Sequence, residues 1–417
     1  MTLQAARWQL ANPQLLRLSD WIAVALAVSL PWSTSATGIL AVCWVLAAIP
    51  TFDRRAWQDV GTAAAVILPI VIVAYALAGT LWADIPWPER LRGVSPFAKL
   101  LVIPLLFVHF RRTEAADKVI MGLIASVCVL LAASWFSVLV PSVPWSRGNY
   151  GIPVKDYIIQ SGLFSLCVVI LLDRALTVWN SSWKVSLLLS ALSALFFANI
   201  VFVATGRTTL VSMAVLLVLI GTRHCRRYAL LLFLGALGLL AAISWASSSY
   251  LRYRASNVIE EVRNFRPNEV DTSSGARIEF WKQSLDLVRE DPVFGHGTGT
   301  TRTVMSRHAG VDPNASGSPS NPHNQIFAIA IPLGLVGVAL LLGMWVSHLR
   351  LFLAPGHVAW FGMAVVVQNI VGGLFNSHLF DFSQGWLYVL GVGVAGGTLM
   401  RERGAKPQAP TSAIARS

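Results

Sequence analysis

Residues 184–247 read KVSLLLSALSALFFANIVFVATGRTTLVSMAVLLVLIGTRHCRRYALLLFLGALGLLAAISWAS. Three apolar runs, 184–204, 207–222 and 227–247, are interrupted only by Thr205-Gly206-Arg207 and by the basic cluster Arg223-His224-Cys225-Arg226-Arg227. Each run approaches the roughly 20 apolar residues that a helix needs to cross a bilayer. The breaks are too short to leave the membrane surface for long, so the chain turns at one face and then at the other. The same measure, carried outward, predicts further spans near 20–35, 37–50, 62–82, 96–110, 118–140, 157–174, 325–347, 357–377 and 382–400. The expected fold is an all-α polytopic membrane protein of about 12 transmembrane helices. The first span follows a weakly charged lead (Arg7, Arg17) with no A-x-A-like cleavage site, so it reads as an uncleaved first helix.

Composition agrees. Of 417 residues, 55% are hydrophobic and 12% charged, about half the charge of an ordinary soluble domain. Soluble, disordered and fibrous classes are excluded. The four cysteines (Cys43, Cys128, Cys167, Cys225) lie in apolar runs or in one basic loop, which removes a disulfide framework and a CxxC zinc pattern. The net charge of +12 falls in short clusters between apolar runs. That pattern belongs to the positive-inside rule and points to no nucleic-acid partner. With the N-terminus in the cytoplasm, seventeen Lys/Arg fall in inner segments and five (Arg90, Arg92, Arg147, Lys155, Arg207) in short outer loops. The reading divides the chain into spans 1–9 over 1–247, an outer helical segment over 248–324, spans 10–12 over 325–400, and a basic, disordered cytoplasmic tail over 401–417.

The outer segment carries nine Lys/Arg and nine Asp/Glu. Leu251, Ala255, Val258, Ile259, Val262 and Phe265 recur at helical spacing, and a second helix is expected after Asp271-Thr272-Ser273-Ser274. On that helix Ile278, Trp281, Leu285 and Val288 share a face, and it stops at Asp291-Pro292. Gly295-His296-Gly297-Thr298-Gly299 reads as a turn with no obvious helix after it. It is neither a dinucleotide fingerprint nor a P-loop.

Polar side chains near membrane depth mark function by default. Arg207 opens a span on the face where cations are depleted, although span-end arginines commonly snorkel to headgroups. Arg277 is expected in the first turn of the second outer helix, where free N–H groups and a guanidinium would grip one phosphate together; a surface ion pair with Asp271 or Glu279 is the plain alternative. Lys99 lies just inside the span beginning near Pro96, and Arg147 sits in Trp145-Ser146-Arg147-Gly148-Asn149-Tyr150; both are phosphate-side candidates. His323, in Asn321-Pro322-His323-Asn324, stands where the outer segment re-enters the membrane and is a candidate general base with Asn321 or Asn324 setting its tautomer. A capping histidine at a helix start is the alternative, and an outer acid such as Asp156 is a second candidate base. His296, His308 and His323 match no standard zinc spacing, and no metal ligand set is predicted. No HExxH, Walker A or G-x-S-x-G is present.

In this order the features resemble the O-antigen ligase/polymerase family of bacterial inner-membrane glycosyltransferases. The matching pieces are Gly206-Arg-Thr-Thr209, Arg277-Ile-Glu-Phe-Trp281, Pro292-Val-Phe-Gly-His-Gly-Thr-Gly299, Pro322-His-Asn324 and Pro332-Leu-Gly-Leu-Val-Gly337. The resemblance implies an O-antigen ligase. Such an enzyme transfers a glycan from an undecaprenyl-pyrophosphate-linked donor to a hydroxyl of the lipid A–core acceptor on the periplasmic side, completing lipopolysaccharide. It implies no cofactor, membrane lipid as the surrounding partner, Arg207 and Arg277 as the functional arginines, and His323 as the functional histidine. With one base and no carboxylate pair, a single inverting, metal-independent displacement is expected. An O-antigen polymerase or related lipid-linked glycan transferase shares the donor, and a transporter is the remoter alternative. The halves show no internal repeat that would support a transporter.

Overall fold

The structure, a computed structural model, describes residues 13–52, 57–58, 60–140, 150–263 and 273–405. The N-terminal lead with Arg7, the cations Arg54 and Arg55, Arg147 with its neighbours to Asn149, Asp271-Thr272 and the tail from 406 lie outside the described residues. Among the described residues the chain is helical, without strands. The helices are α1 (Pro13–Ser29), α2 (Thr34–Ala48), α3 (Ala64–Ala78), α4 (Trp87–Ala98), α5 (Val102–Phe110), α6 (Ala116–Leu139), α7 (Tyr157–Val178), α8 (Trp183–Phe202), α9 (Arg207–His224), α10 (Arg227–Ser247), α11 (Ser249–Arg263), α12 (Ser273–Glu290), α13 (Thr301–His308), α14 (Gln325–Leu351), α15 (His357–Gly373) and α16 (Phe382–Ala405). Among the described residues seven helical stretches are long and apolar enough to cross a membrane: Thr34–Thr51, Trp87–Phe110 (α4 through α5), Ala116–Leu139, Tyr157–Val178, Trp183–Phe202, Arg227–Ser247 and Gln325–Leu351. Two shorter apolar helices, Ala64–Ala78 and His357–Gly373, stand among them.

Each of the twelve expected segments falls on a helix, with boundaries that chemistry explains. The first helix ends at Ser29 and not near 35, because Leu30-Pro31-Trp32 form a turn and Ser33 caps α2 by accepting a hydrogen bond from the Ala36 amide at 3.1 Å. The turn is itself apolar, so counting apolar residues runs through it. The fourth segment begins at Trp87 and not at Pro96. The charges read as loop lie on α4, where Arg90 donates to the carbonyls of Ile85 (2.6 Å) and Thr80 (3.0 Å). A 3-10 turn, Lys99–Leu101, joins α4 to α5. A short helix, α13, does follow the glycine run, and α16 continues through Arg401 and Arg403 to Ala405.

The core is closely packed. Trp44, Tyr388, Phe107, Phe110, Phe164 and Phe196 are fully buried. Gly393 and Gly396 of α16 let that helix lie against Leu106 and Phe107 of α5, the small-residue contact by which membrane helices approach. By contrast α10 leaves Leu231 at 68% and Leu232 at 78% exposed, an apolar surface suited to lipid.

The feature that positions everything at one end of the bundle is a break in α14. Gly334 has φ 61° and ψ −164°, following Pro332. A broken helix leaves backbone groups orphaned, at a cost of several kcal/mol each away from water. Here the turn 292–297 fills the gap. The amides of His296 and Gly297 donate to the carbonyls of Ile331 (2.9 Å) and Pro332 (3.0 Å), and Leu335 and Val336 donate to Pro292 (2.8 Å) and Val293 (3.3 Å). Tyr75 from α3 donates to the Leu333 carbonyl at 3.3 Å. The turn also meets the end of α3: the Thr298 amide donates to the Gly79 carbonyl at 3.0 Å, and its hydroxyl to the Ala76 carbonyl at 2.6 Å. A Cβ on Gly295 would stand 2.6 Å from the Gly334 nitrogen and the Ile331 oxygen. Gly334→Ala is therefore expected to lower stability by more than ~1 kcal/mol through positive φ alone, and further because its Cβ would meet Val293 backbone. Thermal unfolding in detergent, compared with Gly343→Ala in the regular part of the same helix, checks this.

Candidate functional site

At the end of the bundle set by that interlock, α7, α9, α11 and α12 bring together a pocket of about 50 Å³ lined by Tyr157, Gly206, Arg207, Thr208, Arg254 and Arg277. Arg207 is the first residue of α9, with Gly206 as its N-cap residue. Thr205, fully buried, ties the turn to α8 through a 2.7 Å hydrogen bond to the Ile200 carbonyl, and Ser161 pairs with Thr209 at 2.8 Å. Both guanidinium tips of Arg207 donate to Glu261 of α11, Nη1 to Oε2 and Nη2 to Oε1, each at 3.2 Å. The pocket thus joins the two arginines singled out in the sequence. Arg277 is in the second turn of α12 and not the first, because the helix begins at Ser273; the pocket, more than a helix N-terminus, gives it an anion-binding setting. Burial pulls its guanidinium below the ordinary arginine value, with Arg207 pushing the same way and Tyr157 and Glu261 opposing. A positive cluster held in partly desolvated surroundings favours any anion that enters.

The helix α12 faces inward differently from the sequence expectation. Leu287 and Ser284 are buried side chains of this helix, and Leu287 packs with Met305 of α13 and Ile331 of α14, with Phe280 and Val288 against them; Leu285 is 42% exposed. The sequence offers apolar residues on more than one face of this helix, and only the partners decide which one is covered. One consequence is that Phe280, three residues after Arg277, stacks on the His323 ring with centroids 6.1 Å apart and planes at 19°.

His323 precedes α14 in a left-handed backbone conformation (φ 50°), rare for a non-glycine residue and concentrated at functional positions. The capping is done next door: Asn324 accepts from the amides of Ile326 (2.8 Å) and Phe327 (3.3 Å). Asn321 accepts from the His323 amide at 2.9 Å and from Ser377 Oγ at 2.7 Å. Neither asparagine touches the imidazole. Asn376 does so, from the loop between α15 and α16, with His323 Nδ1 and Asn376 Oδ1 3.0 Å apart and Asn376 Nδ2 donating to Asp381 Oδ2 at 3.3 Å. An amide oxygen only accepts, so Nδ1 carries a hydrogen, and in the neutral ring Nε2 is then the nitrogen with the lone pair. Asp156, the other candidate base, caps α7 by accepting from the amides of Ile158 (2.8 Å) and Ile159 (2.9 Å).

The loop 374–381 rests on Lys99, whose ammonium donates to the carbonyls of Phe380 (3.1 Å) and Asp381 (2.9 Å). The structure therefore places this lysine beneath the histidine's support and outside the arginine pocket. Burial raises the Asp381 carboxyl to about 6, with Asp156 adding to the rise and Lys99 opposing it. Burial, joined by Arg277, brings His378 down to about 4, so it is neutral at pH 7. Among the described residues no three His, Cys, Asp or Glu side chains gather as a metal ligand set. His296 meets the Leu287 carbonyl (2.9 Å) and Asp291 (3.2 Å), while His308 lies 3.9 Å from Glu290.

On the other side of the Asn321–Ser377 contact, a cleft of about 380 Å³ is lined by Gly93, Phe97, Arg302, Asn321, Pro322 and Ser377. It shares Pro96 and Phe380 with an apolar groove of about 510 Å³ between α2, α4 and α16. Sequence reading did not single out Arg254, Glu261, Tyr157 or Asn376. Only Arg254 and Glu261 carried a signal, being opposite charges seven residues apart on one helix.

The folded chain holds a proton on Asp381, between the ordinary carboxylate value and about 6, that an unfolded chain has released. Stability contributed by this group is thus lost as pH rises through about 6. Asp381→Asn is expected to flatten the fall of the thermal midpoint between about pH 4 and 7 and to raise the midpoint at the upper end; an unchanged profile would show that this carboxyl does not set it.

Comparison with known families places residues 192–342 in the match to a family model described as O-antigen ligase. That stretch contains Arg207, Arg254, Glu261, Arg277 and His323. Comparison with curated proteins gives no match for the chain.

Proposed function

We propose that this chain, which carries an O-antigen ligase family domain over residues 192–342, is a glycosyltransferase that passes a glycan from undecaprenyl pyrophosphate to a hydroxyl of lipid A–core. In this reading the helices form about twelve crossings of the bacterial inner membrane, with both termini cytoplasmic. The end bearing His323 faces the periplasm. The charge distribution supports that orientation: Arg111, Arg112, Arg174, Arg223, Arg401 and Arg403 sit at the opposite end, where Arg223 pairs with Asp173 at 2.8 Å and Arg403 donates to the Leu351 carbonyl.

The observation that carries the reading is an oriented histidine linked through α12 to the arginine pocket, with Phe280, three residues after Arg277, stacked on its ring. The acceptor hydroxyl attacks the anomeric carbon, its proton passes to His323 Nε2, and the bond from that carbon to the diphosphate oxygen breaks with its electron pair leaving on phosphate. Charge grows on the diphosphate as the bond lengthens. Arg207 and Arg277, already in place, stabilise that charge without reorganisation, an effect for which losing one donor costs about 2.7–4 kcal/mol, or 10²–10³ in rate. Asp381 and Asn376 act as positioning residues that keep the proton on Nδ1, and Lys99 holds their loop. Arg147 is retained as a phosphate-side cation. A single general base, His323, fits a single inverting displacement. The apolar groove and the adjoining cleft fit a lipid-borne acceptor entering sideways from the outer leaflet, with its sugar beside Asn321 and its acyl chains between α2, α4 and α16.

The test is transfer in detergent from undecaprenyl-pyrophosphate-linked glycan to purified lipid A–core, with chelator present. Product is expected from the wild type. Arg277→Ala should lower the rate roughly 10²–10³-fold and His323→Ala roughly 10²–10⁴-fold, with both variants keeping their thermal midpoints. Undiminished product from His323→Ala overturns the base assignment. Chains of donor glycan in place of ligated product point to a polymerase, and no reaction of either kind removes the transferase reading.

A further inference from the structure

Arg254 and Glu261 lie seven residues apart on α11, almost two full turns, so both present the same face of the helix. That face meets the pocket from opposite roles. Glu261 occupies the fork of Arg207, whereas Arg254 lines the pocket beside Arg207 and Arg277. The Arg254 guanidinium stacks over the Tyr157 ring, Cζ 4.8 Å from its centroid. Stacking uses the face of the guanidinium plane and leaves the N–H groups at its edge. Its Nε is buried and has no hydrogen-bond partner. A buried charged donor left unmade costs free energy, and such a group in a native structure calls for an explanation.

The Arg207–Glu261 fork is loose. Its two distances of 3.2 Å exceed the 2.7–2.9 Å usual for charge-assisted N–H···O pairs. A carboxylate in the fork of an arginine has the two-oxygen shape of one phosphate edge, so it can be exchanged for one without moving the arginine. Resting on the transferase reading above, we infer that Arg254 is a third ligand of the donor's diphosphate, and that Glu261 is its placeholder, holding Arg207 in position until the diphosphate displaces it. A diphosphate diester carries one negative charge on each phosphate and gains another when its bond to the sugar breaks. Three guanidinium groups with Glu261 withdrawn match that leaving group in charge; with Glu261 in place they do not. Because both residues ride on α11, the exchange couples donor arrival to a small shift of this helix against its neighbours α8, α10 and α12.

Binding of undecaprenyl diphosphate, and of inorganic pyrophosphate, to the full-length protein in detergent tests this without any transfer reaction. Arg254→Gln is expected to weaken binding roughly 10- to 100-fold, the scale of a hydrogen bond to a charged group, and Arg254→Lys to recover part of it. Arg252→Gln, an exposed arginine that donates to the Trp245 and Ala246 carbonyls, should bind as the wild type does. Glu261→Gln should tighten binding several-fold, because a neutral amide competes less well for Arg207. Thermal midpoints report whether each variant is folded. Wild-type affinity in Arg254→Gln alongside loss in Arg277→Gln overturns this inference and leaves the transferase reading standing. Weaker binding in a well-folded Glu261→Gln shows a structural strut in place of a placeholder and overturns that half. Absence of binding by the wild type overturns the diphosphate reading of the pocket and this inference with it.

Discussion

The interlock between the turn 292–297 and the break at Pro332-Leu333-Gly334 is the constraint on which the rest of this end of the molecule depends. A helix interrupted inside a bundle must find partners for its freed carbonyls and amides, and here they come from one short turn through paired backbone hydrogen bonds. Because the turn begins directly after Glu290, it also sets where α12 ends, and hence the height at which Phe280 and Arg277 stand. Because α14 begins at Gln325, the same contact sets the height of His323. The two halves of the site are therefore held by backbone geometry at some distance from either.

Electrostatics then explains why the site needs such rigid support. The arginine pocket gathers like charges in a place where burial already lowers the preference for charge at Arg277. Repulsion of this kind disperses flexible side chains unless helices fix their origins. Arg207 begins α9, Arg254 is stacked on Tyr157, and Glu261 supplies countercharge. On the histidine side a half-buried carboxyl, a lysine and an amide form a relay whose direction is set by which atoms can donate: Lys99 to carbonyls, Asn376 Nδ2 to Asp381, His323 Nδ1 to Asn376. The stacked pair Phe280–His323 joins the two sides.

Cation patterning and apolar periodicity were enough to place the helices, because a bilayer imposes one length and one polarity on whatever crosses it. They failed where the local chemistry was ambiguous. Leu30-Pro31-Trp32 is an apolar turn, and the charges of α4 lie on a helix. Arg207 and His323 stood out because polar groups at the ends of apolar runs are conspicuous, and Arg277 because it follows a cluster of capping residues; Arg254 did not, being one basic residue among nine in the outer segment. Asn321 and Asn324, the neighbours in sequence, were expected to orient the imidazole. The residue that does so is 53 positions away, and no local signal marks it.

The sequence by itself determined that the chain is a helical membrane protein and where most of its helices run, and it singled out Arg207, Arg277, His323, Lys99 and Arg147 as candidates. Those properties follow from hydrophobicity and charge, which each residue carries wherever it sits. The tertiary structure decided which face of α12 is covered, which partner sets the tautomer of His323, that Lys99 supports a loop and lies outside the arginine pocket, and that a third arginine and a carboxylate enter that pocket. These depend on distances between segments far apart along the chain, and such distances are fixed only when the backbone groups of a broken helix find their partners.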